Sequence, residues 1–132
     1  MYAASPAESV HALDLEALRS PEVTLWSAWD GPEILGCGAL KSLEITAGER
    51  DFELKSMRTV AHARGRGVAT ALLRHLIDQA RQEGGRRLLL ETGSDDFHAP
   101  ARRLYARSGF TERPPFGSYV LDPSSVFFEL SL

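Results

Sequence analysis

The sequence predicts an α+β fold with a mixed, mostly antiparallel sheet, a central βαβ unit and flanking helices. Two strand-like segments separated by a Gly-Pro turn come early in the chain, and a glycine turn at residues 64–67 links a strand-like segment to an amphipathic helix. The resulting order of elements is β-β-β-α-β-α-β-β. The 132 residues, 43% of them hydrophobic and 25% charged, suit one domain spanning residues 1–132.

The N-terminal half predicts one helix followed by strands. A short helix is expected over residues 5–18, ahead of Pro21. The next segments are bounded by turn signals or are rich in β-branched and aromatic side chains. They predict strands over residues 23–29, 34–43 and 53–60, of which the first two form a hairpin.

The second half begins with a helical pattern. Apolar residues recur four apart from Val68 to Ala80, and Gly84 ends the helix. The segments that follow predict a strand over 87–92, a helix over 99–108, and strands over 110–112 and 126–130. Because the first helix connects two strands, those strands are expected to be parallel.

Composition and net charge argue against several classes of function. The formal net charge of −3 argues against a nucleic-acid binder, which is usually basic. No apolar stretch approaches the roughly 20 residues that span a membrane, and the N-terminus does not resemble a secretory signal. Cys37 is the one cysteine, so an internal disulfide is impossible, and Cys37 is expected to be a small buried residue. A cytoplasmic protein is the expectation.

The glycine turn predicts a phosphate site. Gly65 and Gly67 precede a helix N-terminus, where free N–H groups and a partial positive charge attract anions. Arg64 and Arg66 add positive charge. A P-loop is excluded because no Gly-Lys-Ser/Thr is present. A dinucleotide-binding domain stays an alternative, although the third glycine of its fingerprint is replaced by Thr70.

Two motifs resemble those of the GNAT superfamily of N-acetyltransferases. Arg64, Gly67 and Ala69 fill the fixed positions of its motif A, Arg/Gln-x-x-Gly-x-Gly/Ala. The segment 101–110, Ala-Arg-Arg-Leu-Tyr-Ala-Arg-Ser-Gly-Phe, is similar to its motif B, A-x-x-L-Y-x-x-x-G-F. The resemblance covers roughly residues 26–132, and shorter matches point to a small bacterial subgroup.

The resemblance implies an acyl-CoA site and an N-acyltransferase that uses acetyl-CoA as cosubstrate without a metal. The pantetheine arm is expected along Met57, Arg58 and Thr59, with the Met57 N–H polarising the thioester carbonyl. His98 and Ala101 of motif B are expected beside the arm. The backbone groups expected to grip the pyrophosphate belong to Arg64, Gly65, Arg66, Gly67, Val68, Ala69 and Thr70.

The resemblance also implies catalytic residues. Tyr105 matches the tyrosine that protonates the leaving thiolate, and Glu53 precedes Arg64 by eleven residues, the spacing of the glutamate base in histone-type members. The alternatives for Glu53 are a structural ion pair with Lys55 or a nearby arginine, water-mediated proton removal without a dedicated base, and a role for Glu91 as the base. Strand alternation predicts that Glu53, Lys55, Met57 and Thr59 share one face.

The acceptor is expected to be a small-molecule amine rather than a protein. Residues 114–119 are expected to cover its site, where Phe116 and Tyr119 could pack against it and the carboxylates Glu53, Glu91, Asp95 and Asp96 could attract it. The motifs leave a non-catalytic acyl-CoA-binding module open as a second function.

Two departures from the superfamily bear on the site. His98 stands where motif B carries asparagine, which normally hydrogen-bonds the pantetheine arm. The first strand of the superfamily is apparently missing before residue 23, and an exposed sheet edge favours a homodimer.

Overall fold

The computed structural model describes residues 20–43 and 47–132. The predicted helix over residues 5–18 and the predicted absence of an N-terminal strand both lie outside these residues. The described elements, in chain order, are β1 (Val23–Asp30), β2 (Glu33–Ser42), β3 (Arg50–Thr59), α1 (Val68–Gln82), β4 (Gly85–Gly93), α2 (Ala99–Arg107), β5 (Thr111–Arg113) and β6 (Ser125–Ser131).

These bounds confirm the predicted order of elements. Short 3₁₀ turns at Ala61–Ala63 and Asp96–His98 precede the two helices. The third strand starts three residues earlier than predicted, at Arg50, because that end of the strand pairs with both neighbouring strands. Sequence pattern alone marks strand ends poorly, since ladder hydrogen bonds decide them.

The six strands form one mixed sheet in the order β1-β2-β3-β4-β6-β5. The predicted β1–β2 hairpin is present, and β3 and β4 are parallel, as the βαβ unit requires. All other neighbouring strands are antiparallel. The predicted α+β fold is therefore confirmed.

Both helices contribute to the core on one face of the sheet. Their apolar stripes pack against alternate residues of the central strands, so that Leu73, Leu76, Leu88 and Leu90 have less than 2% of their surface exposed. The opposite face carries a smaller cluster of Leu89, Phe116 and Phe127, with Leu43 and Tyr119 packed against it. The two helices therefore cover one face of the sheet, and the segment that carries Phe116 and Tyr119 covers part of the other.

Candidate active site

The parallel strands β3 and β4 pair over only part of their length. Their ladder runs from the Arg50–Gly85 pair to the Glu53–Leu89 pair and then stops. Beyond that point the strands diverge around a cleft of about 1190 Å³. Within residues 54–59 of β3, Leu54, Lys55, Arg58 and Thr59 pair with β2, and none of the segment pairs with β4. A ligand that pairs as a strand would could therefore lie along this side of β3.

A β-bulge at Ser56 corrects one prediction. The β2–β3 register shifts between Cys37 and Ala39, and Ser56 adopts a left-handed backbone conformation with a φ of 58°. The extra residue shifts the alternation of side chains, so Met57 packs on the helix-covered face while Glu53 contacts Tyr119 on the other. The prediction that Glu53 and Met57 share a face is wrong for this reason.

The N-terminus of α1 opens into the cleft. Gly67 caps the helix in a left-handed conformation with a φ of 80°, and Gly65 has a φ of 77°. A Cβ at either glycine would meet no atom within 4 Å, and no side chain caps this helix end. The first-turn N–H groups therefore lack the usual partner, and a helix end in this state binds anions.

The cleft collects all the residues predicted for acyl-CoA binding and catalysis except Arg66. Arg66 does not line it, and its guanidinium lies 3.8 Å from the exposed Asp30 carboxylate. Positive charge remains at the cleft through Arg64, Arg103 and Arg107. The predicted residues that line it are Glu53, Met57, Arg58, Thr59, Arg64, Gly65, Gly67, Val68, Ala69, Thr70, His98, Ala101 and Tyr105.

Tyr105 reaches the cleft from α2. Its ring is 6% exposed and packs against Phe110 and Phe128, with ring centroids 5.6 and 6.1 Å away. Burial raises the pKa of the phenol to about 12, against a small opposing effect of the Arg58 charge. Tyr105 is therefore protonated at neutral pH and can donate a proton. Tyr105 therefore packs in the hydrophobic core and also lines the cleft.

Glu53 is a buried carboxylate at the point where β3 and β4 separate. It is 5% exposed, and the Tyr119 hydroxyl donates a hydrogen bond of 2.7 Å to its Oε2. The Lys55 ammonium lies 3.6 Å from the same oxygen, so the ion pair considered as an alternative exists. A paired buried carboxylate can still accept a proton, because its partners contact only one oxygen in these interactions.

Glu91 lines the cleft beside Glu53. The Ser125 hydroxyl donates a 2.7 Å hydrogen bond to Glu91 Oε2, and the Glu91 charge contributes to raising the pKa of Tyr119. The two carboxylates therefore face one region. Asp95 also lines the cleft, whereas Asp96 does not.

His98 is fixed by its neighbours at the rim of the cleft. Its Nδ1 lies 2.5 Å from Asp95 Oδ1, and a hydrogen bond from the imidazole lowers the pKa of Asp95. A Cβ at Gly93 would overlap the imidazole, so Gly93 gives the ring its place. Because Nδ1 is engaged by Asp95, Nε2 is the nitrogen left for a ligand.

Three features of the site escaped sequence reasoning. Nothing in the sequence marks Ser56 as a bulge or Tyr119 as the partner of Glu53. Arg102 donates from Nη1 to the carbonyl oxygens of Gly93 and Asp95, at 2.6 and 2.8 Å, and so braces the loop that carries His98. Phe116, expected against the acceptor, is 7% exposed and belongs to the smaller core cluster.

The remaining expectations from the sequence concern Cys37, metal binding and membrane spans. Cys37 is buried, as expected, with its thiol 3.5 Å from the Ser56 carbonyl oxygen. Among residues 20–43 and 47–132, no three His, Cys, Asp or Glu side chains are grouped to hold a metal ion. In the same ranges no helix is both long and apolar enough to cross a membrane.

Comparison of the sequence with known proteins identifies the family of the chain. The model of the acetyltransferase (GNAT) family matches residues 2–110. The chain belongs to the GNAT family, and its class is that of an acyl-CoA-dependent N-acetyltransferase, with acetyl-CoA as cosubstrate. The resemblance seen in motifs A and B is thereby confirmed.

Individual relatives cover nearly the whole chain. It is 52% identical over 128 residues to "Uncharacterized N-acetyltransferase YsnE" of Bacillus subtilis (strain 168), covering 97% of this chain and 82% of that protein. It is 39% identical over 127 residues to the "IAA acetyltransferase" of Azospirillum brasilense, covering 96% and 80%. A GNAT family acetyltransferase from Elizabethkingia anophelis, solved with acetyl-CoA bound, aligns with a TM-score of 0.71 at 19% identity, over 90% of this chain and 82% of that one; this likeness concerns the fold.

Proposed function

We propose that the chain transfers an acetyl group from acetyl-CoA directly to a primary amine while both substrates are bound. The observation that carries the proposal is the separation of β3 and β4 beyond Glu53, which joins the open N-terminus of α1 and the buried Glu53 and Tyr105 in one cleft. An acetyl donor bound along β3 would extend from the anion-binding end towards these two side chains.

The residues present fit acetyl-CoA. The uncapped helix end and the glycine turn suit a pyrophosphate, and Arg64, Arg103 and Arg107 add complementary charge. The side of residues 57–59 that lies outside the β3–β4 ladder suits the amide groups of the pantetheine arm, with Ala101 beside it and the His98 Nε2 as a further polar partner. Acetyl-CoA supplies the acetyl group as an activated thioester.

The chain's own residues then move two protons. Glu53 accepts a proton from the acceptor ammonium, which leaves a neutral amine able to attack the thioester carbonyl. The Met57 N–H donates a hydrogen bond to the carbonyl oxygen as charge develops there. Tyr105, which its raised pKa keeps protonated beforehand, donates its proton to the sulfur as the C–S bond breaks. The nitrogen loses its second proton as the amide forms, and this proton restores the phenol.

The acceptor is proposed to be a small-molecule amine. Glu53 and Glu91 give the acceptor region negative charge, which favours a cationic amine, and the aromatic Tyr119 borders the same region. The relative named as an IAA acetyltransferase supports a small acceptor.

Titration calorimetry and thiol release test the proposal together. Acetyl-CoA is expected to bind the purified protein in the micromolar range. A panel of small amines, with a lysine-containing peptide as the protein-like acceptor and an amine-free blank for hydrolysis, is expected to contain at least one amine that releases CoA thiol. Absence of acetyl-CoA binding would refute the proposal. Binding without amine-dependent release would favour the non-catalytic module instead.

A further inference from the structure

We propose that Tyr119 is a positioning residue whose hydrogen bond holds the Glu53 carboxylate in the orientation in which it receives the proton of the acceptor amine. The inference rests on the proposed function, in which Glu53 is the base. It adds a residue that lies outside both motifs and that motif patterns do not include.

The contact between the two residues is short and buried. The Tyr119 hydroxyl donates to Glu53 Oε2 at 2.7 Å, and Glu53 is 5% exposed. A hydrogen bond to an ionised acceptor is stronger than one between neutral groups, and burial removes competing water. The Lys55 ammonium, 3.6 Å from the same oxygen, adds a second contact to that side of the carboxylate.

The hydroxyl is held in place by the packing of its ring. Tyr119 contacts the rings of Phe116 and Phe127, with centroids 5.1 and 5.5 Å away. The Tyr119 N–H also donates to the Phe116 carbonyl oxygen at 3.0 Å, closing a turn around Gly117. Because both backbone and ring are fixed, the hydroxyl meets Glu53 at one defined position.

Tyr119 is a donor throughout the working pH range. Burial raises the pKa of its phenol, and the hydrogen bond to Glu53 and the charges of Glu53 and Glu91 raise it further. The charged side chains around Glu53 come from every strand that packs near it: Lys41 opposite it on β2, Lys55 on β3, Glu91 on β4, and Glu129 on β6, which is paired with Arg113.

The proton transfer that Tyr119 supports is balanced within the site. An N–H bond of the ammonium breaks, an O–H bond forms on Glu53, and the electron pair stays on nitrogen for attack. Removing the Tyr119 hydroxyl leaves the buried carboxylate without this fixed partner, so Glu53 is expected to meet the ammonium in the productive orientation less often.

Carbon-13 NMR of the glutamate carboxyls at neutral pH tests the contact in the free protein, where no acceptor is needed. In Tyr119→Phe, the Glu53 carboxyl signal is expected to shift, because the carboxylate has lost its buried hydrogen-bond donor. Glu53→Gln identifies the Glu53 signal by its disappearance. Ser118→Ala, an exposed neighbour on the same segment, is the matched control and is expected to leave the Glu53 signal unchanged. An unchanged Glu53 signal in Tyr119→Phe would overturn the inference.

Kinetics test whether the contact matters for the reaction. In Tyr119→Phe, kcat is expected to fall about 10-fold, while the KM for the amine, the acetyl-CoA affinity and the thermal stability are retained. Adding Tyr119→Phe to Glu53→Gln is expected to cause no further loss, because Tyr119 acts through Glu53. Additive losses would overturn the positioning role. Wild-type protein that binds acetyl-CoA but acetylates no amine would instead count against the proposed function, while the NMR result would still decide the contact.

Discussion

The two ends of the β3–β4 pair contrast. At one end, Asp51 on β3 accepts hydrogen bonds from Arg86 and Arg87 on β4, at distances of 2.8 to 3.4 Å, and the strands are paired. At the other end the same strands diverge and line the cleft. The cleft therefore lies where the β3–β4 ladder is interrupted, and ion pairs stabilise the opposite end of the same two strands.

The interruption has a local cause. The Ser56 bulge lies within the segment of β3 that has left β4, while β3 keeps its ladder with β2 on both sides of the bulge. Increased twist at a bulge directs one strand away from its neighbour. The backbone edge exposed in this way is what a pantetheine arm would use.

The largest expected effect concerns the open end. Gly67→Glu places a side chain at a φ of 80° and a negative charge at the anion site, so acetyl-CoA affinity is expected to fall at least about 100-fold. Calorimetry measures it. Gly84→Glu is the matched control, with a φ of 79° at the opposite end of α1, and is expected to bind normally. Similar affinities in both variants would mean that the glycine turn does not hold the phosphates.

The second-largest effect is expected for Tyr105→Phe, which separates acetyl-CoA binding from catalysis in the same cleft. Loss of the proton donor is expected to lower kcat about 100-fold. Acetyl-CoA affinity should be retained, because the ring still fills its place beside Phe110 and Phe128. Stopped or continuous thiol detection with an active amine measures kcat. Full activity would remove Tyr105 from the acid role.

Asp51→Asn tests the paired end of β3 and β4, where Arg86 and Arg87 contact Asp51. Burial opposes ionisation of Asp51, but the hydrogen bonds from Arg87 and Arg86 outweigh it and hold its pKa below the usual 3.8. The variant is expected to lose about 1–2 kcal/mol of unfolding free energy, a value kept low because both arginines are partly in solvent. Chemical denaturation measures it, with Asp78→Asn, whose partner Arg81 is also well exposed, as control.

The pH dependence of that loss follows from the sign of the shift. A carboxyl whose pKa is lower in the folded state stabilises the fold above its unfolded value and stops doing so as pH falls through its folded value. Wild type should therefore exceed Asp51→Asn fully above about pH 5, and the difference should vanish well below pH 4. A difference that persists in acid would contradict this account.

The smallest expected effect is that of His98→Ala, at the rim of the open end. Losing one hydrogen bond to the pantetheine arm should lower acetyl-CoA affinity by about 2- to 10-fold. His75→Ala, on the exposed side of α1 beside Trp26, is the control and should bind like wild type. A calorimetric affinity unchanged in His98→Ala would mean that the imidazole only supports the Asp95 loop.

The sequence predicted the parts of the molecule that depend on local pattern. The spacing of Leu72, Leu76 and Ala80 gave the buried face of α1, and Gly67 marked its start, because helix period and glycine conformation are properties of short segments. The family followed from motifs A and B for the same reason. Assignment of catalytic roles to Tyr105 and Glu53 stays a prediction.

What only the tertiary structure decided depends on contacts between distant segments. The bulge at Ser56 moved Met57 to the face opposite Glu53, and it arises from the register with β2. The bond between Tyr119 and Glu53 joins residues 66 positions apart, through a segment whose path is set by packing of Phe116. Local sequence determined the glycine turn before α1, whereas strand register and side-chain packing decided where the cleft opens and which groups surround its buried carboxylate.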